Sequence, residues 1–186
     1  MRLFVAIEIP DSVKDHLGLL CGGLHGAKWT DPDQMHLTLR FIGEVDPRQA
    51  DDVAAELAEV RAPALTLSLV GLGEFSSRGR VQVLWAGVEA DAGLLPLQAR
   101  IEAAVRRAGV EPERRKFHAH VTLARFGYGK PNLGRDFAEH EPFRSAPFAA
   151  DEFVLFSSVL GSDGAAHRVE ASYPLMMARA SAAAAQ

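Results

Sequence analysis

A four-residue pattern occurs twice in this chain and restricts its fold more than any other feature. It reads His36-Leu37-Thr38-Leu39 and then, 84 residues later, His120-Val121-Thr122-Leu123. Each copy lies in a run of apolar, aromatic and β-branched residues, HLTLRFIG over 36–43 and FHAHVTLARF over 117–126, and both runs read as strands. Residues two apart on a strand share a face. His36 and Thr38 therefore project together, as do His120 and Thr122, while Leu37, Leu39, Val121 and Leu123 turn the other way into a core. A face given over twice to a His–Thr pair has to meet water, a ligand or a partner. Two copies nearly half a chain apart imply two similar lobes that set their His–Thr pairs across one cleft.

The remaining segments supply those lobes. Residues 2–8 (RLFVAIE) read as a strand closed by Pro10. Asp11 is placed to cap a helix carrying Val13, Leu17 and Leu20, which stops near Gly22 and Gly23. Asp46 and Pro47 read as the cap and first residue of a second helix, with Gln49 three positions after the cap and Val53, Leu57 and Val60 as its apolar stripe. Strands follow over 65–70 and 81–88, separated by a turn around Phe75 to Gly79. A third helix runs from about Leu94 to Ala108, with Gly109 where a left-handed residue would end it. Residues 127–146 read as a polar loop, and strands at about 151–157 and 167–173 flank a turn at Ser162–Gly164. Strands neighbour strands as often as helices, which predicts an α+β fold with largely antiparallel sheet. No Gly-rich phosphate loop follows a strand, so nothing supports nucleotide binding by a Rossmann or P-loop route. One domain over 1–176 is expected, with an Ala-rich tail at 177–186.

Composition excludes several classes. Of the 186 residues, 48% are apolar and 24% charged, which is ordinary for a globular chain and unlike a disordered or fibrous one. Cys21 is the single cysteine, leaving no internal disulfide or cysteine metal cluster and pointing to a reducing cytoplasm. No stretch of about 18 apolar residues predicts a membrane-spanning helix. The first apolar run is interrupted at Glu8 and lacks the features of a signal peptide. A net charge of −4 argues against coating nucleic acid by bulk electrostatics, although it leaves room for a local basic site. The basic runs at Arg78 and Arg80, at Arg106 and Arg107, and at Arg114 to Lys116 read as solvated charge.

Paired His–Thr units suit chemistry at a phosphate. An imidazole with an unperturbed pKa of about 6.5 serves as base when neutral and as acid when protonated, so two of them can do both jobs in one step. Threonine hydroxyls donate to phosphoryl oxygens, and a nearby arginine holds negative charge bidentately. Displacement at phosphorus is roughly in line, and a pseudo-symmetric pair of motifs puts base and acid on opposite sides. This fits metal-free attack on a phosphodiester with electrostatic stabilisation of the transition state. A zinc site built from His36, His120 and either His118 or His167 is the competing reading. Thr is a poor ligand, however, and no carboxylate occupies a matching position in both copies. No metal or cofactor is therefore expected.

With these motifs the chain resembles the two-histidine phosphoesterase superfamily, and within it the RNA 2′,3′-cyclic phosphodiesterases, also called 2′-5′ RNA ligases. The resemblance spans about residues 2–176. It rests on RLFVAIEIP, on Trp29 before HLTLRFIGEV, on GEF…RVQVLWAGV, on FHAHVTLAR and on FVLFSSVL…YPL. It implies a bilobal fold, with two antiparallel sheets flanking a central cleft and helices outside. It implies hydrolysis of an RNA-terminal 2′,3′-cyclic phosphate, or of a related nucleotide, to a 2′-phosphomonoester. Reversible 2′-5′ ligation could run through the same phosphate. By the resemblance, His36 is the proton donor, His120 the proton acceptor, and Thr38 and Thr122 bind phosphate. A monomer with no protein or membrane partner is expected. The alternative class is a non-catalytic binder of RNA ends or nucleotides.

Further candidates surround the motifs. Arg125 matches the family's arginine after the second copy, yet strict alternation puts it opposite His120 unless the strand ends or bulges first. Arg40 shares the face of His36 by the same alternation and is a candidate substrate contact. His118 stands where many relatives have Arg and shares the face of His120, making it another. His167 stands where relatives often have Tyr. Phe41, Phe117 and Phe126 adjoin the motifs and are expected in the core. Trp29 and Phe75, expected in loops, are better placed to stack on a base.

Overall fold

Both His–Thr runs are strands, with the polar residues half-buried and the alternate Leu37, Leu39, Val121 and Leu123 at most 2% exposed. The computed structural model describes residues 1–22, 24–127, 143–161 and 164–176. Their order is β1 (Arg2–Glu8), α1 (Asp11–Gly18), β2 (Ala27–Trp29), β3 (His36–Glu44), α2 (Pro47–Ala58), β4 (Leu65–Ser77) and β5 (Arg80–Ala90). Then come α3 (Leu94–Arg107), β6 (His120–Phe126), β7 (Phe148–Ala150), β8 (Glu152–Gly161) and β9 (Gly164–Pro174).

The helix boundaries follow local chemistry. Asp46 accepts from the Gln49 backbone N–H at 2.8 Å and Pro47 opens α2 with its φ already helical. Gly109 follows α3 at φ +80°, a conformation that Gly adopts without a Cβ clash, and its N–H closes on the Arg106 carbonyl. The start of α1 differs from expectation. Pro10 takes the cap position, while the Asp11 carboxylate pairs with Lys14 at 3.2 Å.

Among the described residues the strands follow one antiparallel path, β7-β4-β5-β6-β3-β1-β8-β9, with β2 added beside β6. The path divides into two halves of four strands, β6-β5-β4-β7 and β3-β1-β8-β9. These halves correspond to the expected two sheets, and they are joined at one register pair, Leu37 with Val121, into a continuous nine-stranded sheet. The main core holds Val13 and Leu17 of α1, Val53 and Leu57 of α2, and Leu97, Ile101 and Val105 of α3, packed with the apolar strand residues. Tyr173 of β9 ties its hydroxyl to the Ala54 carbonyl of α2 at 3.1 Å. The helices therefore cover one face of the strands, and the His–Thr pairs occupy the other. No described helix is long and apolar enough to cross a membrane.

Sheet pairing extended several segments beyond their own pattern. The strand expected at 65–70 and the turn expected around Phe75 to Gly79 are both revised, because β4 continues through Gly71, Gly73 and Glu74 to pair with β5 as far as Ser77 with Arg80. The reversal falls instead at Arg78 and Gly79, both at positive φ. Phe75 is thus a strand residue, as is Trp29 in β2. At the end of the expected 127–146 loop, Gly71 donates to the Phe143 carbonyl and Ser145 to that of Leu69, which docks 143–145 on β4. Residues 128–142, the Ser162 turn and the 177–186 tail lie outside the described residues.

Candidate active site

β3 and β6 run antiparallel, and counting outward from Leu37 and Val121 sets His36 opposite Thr122 and Thr38 opposite His120. The four side chains form a quartet with approximate two-fold symmetry on the face away from the helices. Directly opposed residues of an antiparallel pair have Cβ atoms roughly 5 Å apart and diagonal ones roughly 7–8 Å. The two imidazoles occupy diagonal positions of this pairing.

The same hydrogen bond orients each imidazole. His36 Nδ1 is 2.7 Å from the Gln34 carbonyl oxygen, and His120 Nδ1 is 2.7 Å from that of His118. A carbonyl only accepts, so Nδ1 carries the hydrogen and Nε2 of the neutral ring keeps a free lone pair. Both histidines are thereby prepared as bases from identical local geometry.

Their surroundings differ. His36 stacks on Phe4 with ring centroids 4.9 Å apart, meets His167 edge-on at 5.2 Å and lies 6.2 Å from Phe156. His120 meets Phe75 edge-on at 4.9 Å, with His118 at 5.9 Å and Trp85 at 6.2 Å. The Trp85 ring lies so closely across Gly73 that any Cβ there would overlap its Cη2 and Cζ2. Glycine at 73 is what lets the indole reach the cleft wall.

Burial, then the positive charge His167 can carry, lowers the His36 pKa to about 4 against the opposing pull of the Gln34 hydrogen bond; Arg125 and His120 add smaller downward pushes. Burial also lowers His120, with His118 and Arg125 contributing and the hydrogen bond to His118 opposing, and burial lowers His167. As pH falls below about 6.5, the unfolded chain takes up protons that folded His36 still refuses. Stability is therefore expected to fall between pH 6.5 and about 4, and the loss should be smaller in His36→Gln. Thermal unfolding of both proteins across that interval checks this, and equal losses would show that His36 is not held neutral.

Arg125 reaches the cleft because β6 bulges. Leu84 pairs with Ala124 and Trp85 with Thr122, so Leu123 is an extra residue on β6. Leu123 and Ala124 are consecutive and both fully buried, after which Arg125 returns to the His120 face, exposed and close enough to influence both imidazoles. Arg40 is a correction to the alternation argument. β3 bulges at the matching place, with Ala6 paired to Thr38 and Val5 to Arg40, leaving Leu39 unpaired. Arg40 consequently turns to the helix side, 5% exposed, with Nε 2.5 Å from Glu102 of α3 and Nη2 2.5 Å from the Glu111 carbonyl. It is not among the groups brought to the cleft.

His118 precedes the strand, exposed, with its ring 4.7 Å from Trp85. The residues that sequence reasoning missed are the aromatic neighbours Phe4, Phe156 and Trp85. A signal existed for Phe4: the unbroken apolar run Leu3–Ile7 marks a strand buried on both faces. Phe4, Ala6, Val154 and Phe156 indeed form a second apolar cluster on the cleft side of the His36 half. Among the described residues, no three His, Cys, Asp or Glu side chains gather as metal ligands.

The model of the LigT-like phosphoesterase family matches residues 7–85 and 87–167. A curated relative from Thermotoga maritima, named RNA 2′,3′-cyclic phosphodiesterase, is 31% identical over 175 residues, covering 91% of this chain and 92% of its own. The Aquifex aeolicus protein of the same name is 31% identical over 170 residues, 87% of each chain. Two solved structures superpose closely. One is a Thermus thermophilus protein, TT0787 (TM-score 0.78, 26% identity, 94% of this chain and 97% of that one). The other is Escherichia coli LigT complexed with 3′-AMP (TM-score 0.76, 26% identity, 94% and 97%).

Proposed function

Since this chain belongs to the LigT-like phosphoesterase family, we propose that it hydrolyses an RNA-terminal 2′,3′-cyclic phosphate to the 2′-phosphomonoester by paired histidine acid–base catalysis. The observation that carries this reading is the cleft-facing quartet of His36, Thr38, His120 and Thr122, with both Nδ1 atoms tied to backbone. The cyclic phosphate sits between the imidazoles, and the Thr38 and Thr122 hydroxyls donate to its non-bridging oxygens. Nε2 of His120 takes a proton from water as the water oxygen bonds to phosphorus. On the opposite side the P–O3′ bond breaks, and protonated His36 gives its proton to O3′. Arg125 stabilises the negative charge that builds on the phosphoryl oxygens.

The low pKa of His36 is compatible with its role as the acid. An anionic phosphate in contact with the ring favours the charged form, so substrate itself loads the proton. Microscopic reversibility lets the same histidines serve 2′-5′ ligation. The lone Cys21 accords with a reducing cytoplasm, and nothing in the mechanism calls for more than a monomer.

The experiment is digestion of an oligoribonucleotide ending in 2′,3′-cyclic phosphate, in EDTA, with 2′- and 3′-phosphate products resolved. Conversion to the 2′-phosphate is expected. Turnover that appears only when metal is restored would replace this mechanism with a histidine–metal one. Binding without turnover in either condition would identify a non-catalytic RNA-end binder.

A further inference from the structure

The matched bulges give the two ends of the cleft different chemistry. Five positions after each motif histidine the chain returns to the cleft face, with Phe41 in the His36 half and Arg125 in the His120 half. Phe41 is 47% exposed rather than in the core, and Phe4 opposes it on β1. The Arg125 end is cationic. Lys28 of β2 is the register partner of Arg125 on β6, and directly opposed residues share a face. Their neighbours fix which face it is. Ala27 and Trp29 on β2, and Ala124 and Phe126 on β6, all pack against the main core, so both cations turn to the cleft side, where they are exposed. Like charges set directly opposite each other are destabilising. Among the described residues no carboxylate pairs with either of them. Packing does not account for a lysine at this position.

Sheet topology says which side of the phosphate this lysine serves. β5 takes one edge of β6, so β2 and β3 share the other. Lys28 therefore stands on the same edge as His36, three residues further along β6, which is roughly 10 Å. The leaving O3′ departs toward His36, so the nucleoside lies on this edge and the attacking water on the His120 side. The RNA chain that precedes the terminal nucleotide leaves from the same ribose, through O5′. We infer that Lys28 binds the phosphodiester on the 5′ side of the terminal nucleotide and completes, with Arg125, a two-phosphate site that distinguishes an RNA chain from a mononucleotide. Arg125 holds the reacting phosphate and Lys28 its neighbour, and the two anions relieve the repulsion between the cations. The inference rests on the hydrolytic reading and on His36 as its acid.

The test compares the parent, Lys28→Gln and Lys28→Arg on two substrates with the same reacting group. These are diadenylate ending in 2′,3′-cyclic phosphate and adenosine 2′,3′-cyclic phosphate, which has no preceding phosphate. An exposed ion pair contributes up to about fivefold in affinity, so Lys28→Gln should raise KM for the dinucleotide by about that factor at low salt, with kcat and both parameters for the mononucleotide within about twofold. The fall of log kcat/KM with log salt should also become shallower by about 0.7 for the dinucleotide, the weight of one single-strand phosphate contact. Lys28→Arg should restore both. A dinucleotide with an uncharged methylphosphonate at that linkage should cost the parent the same factor and cost Lys28→Gln nothing more. The thermal midpoint of Lys28→Gln should equal or exceed the parent's, because a repulsion is removed, and this separates a lost contact from lost folding. Equal losses on both substrates would mean that Lys28 serves the reacting phosphate, and no change on either would make it a surface charge; both outcomes overturn the inference. If the parent turns over neither compound, the hydrolytic reading fails separately. Calorimetric affinity for diadenylate 2′-monophosphate against adenosine 2′-monophosphate then decides the subsite, which requires Lys28→Gln to weaken only the former.

Discussion

Replacing either His36 or His120 with Ala is expected to lower kcat by about 10²–10⁴, the range over which a positioned acid or base normally contributes. The double variant should lose far less than the product of the single losses, because two groups that act in one step fail together. KM should move little, since in the proposed mechanism Thr38, Thr122 and Arg125 hold the phosphate. His36 also supports Phe4 and so needs a fold control: His36→Gln keeps most of the side-chain volume and should match His36→Ala in kcat. A loss below about tenfold for both histidines would remove them from the proton transfers. The two variants are also expected to differ in pH dependence, because each leaves only one titrating imidazole of the pair. Bell-shaped kcat/KM in the parent and a single limb in each variant would be the kinetic sign of a divided acid and base.

Arg40→Ala is expected to do the opposite, costing stability and sparing catalysis. The guanidinium is enclosed beneath the strands, 2.5 Å from Glu102 and 4.0 Å from Glu113, and it also donates to the carbonyls of Phe41 and Glu111. Removing one member of a buried pair leaves the other charge without its partner and typically costs about 3–5 kcal/mol. For a chain of this size that lowers the thermal midpoint by roughly 10 °C. Because one of its bonds goes to the Phe41 carbonyl, Arg40 also fixes the bulge that turns Phe41 outward. Both kcat and KM for nucleotide substrates should stay within about threefold. An unchanged midpoint together with lost turnover would return Arg40 to the cleft.

Much of the architecture was readable from local pattern. The alternation around His36 and His120 assigned the histidines and threonines to one face and the leucines and valines to the other. The cap at Asp46 with Pro47, and the glycine at 109, bounded α2 and the end of α3. These are short-range effects, in which the residues that decide the outcome are adjacent in the chain. The family resemblance rests on the same segments, and for that reason the class of chemistry could be read before the fold. The segments misjudged were those whose conformation is set by a distant partner, such as β4 continuing through Gly71 and Gly73 because β5 pairs with it.

Arg40, Phe41 and Arg125 show the limit most clearly. Counting by twos along HLTLRF puts Arg40 in the cleft and Phe41 in the core, and the structure reverses both. A bulge is a property of a pair of strands: β1 opposite β3, and β5 opposite β6, each leave one leucine unpaired and so turn the residues that follow it, Arg40 and Phe41 or Ala124 and Arg125, to the opposite face from the one alternation assigns. Nothing in the bulged strand's own residues announces that shift. The chain's pattern therefore settled which groups are offered for the chemistry, because two-residue periodicity is local. Which groups surround them was settled by long-range pairing and by the packing of α3 beneath β3.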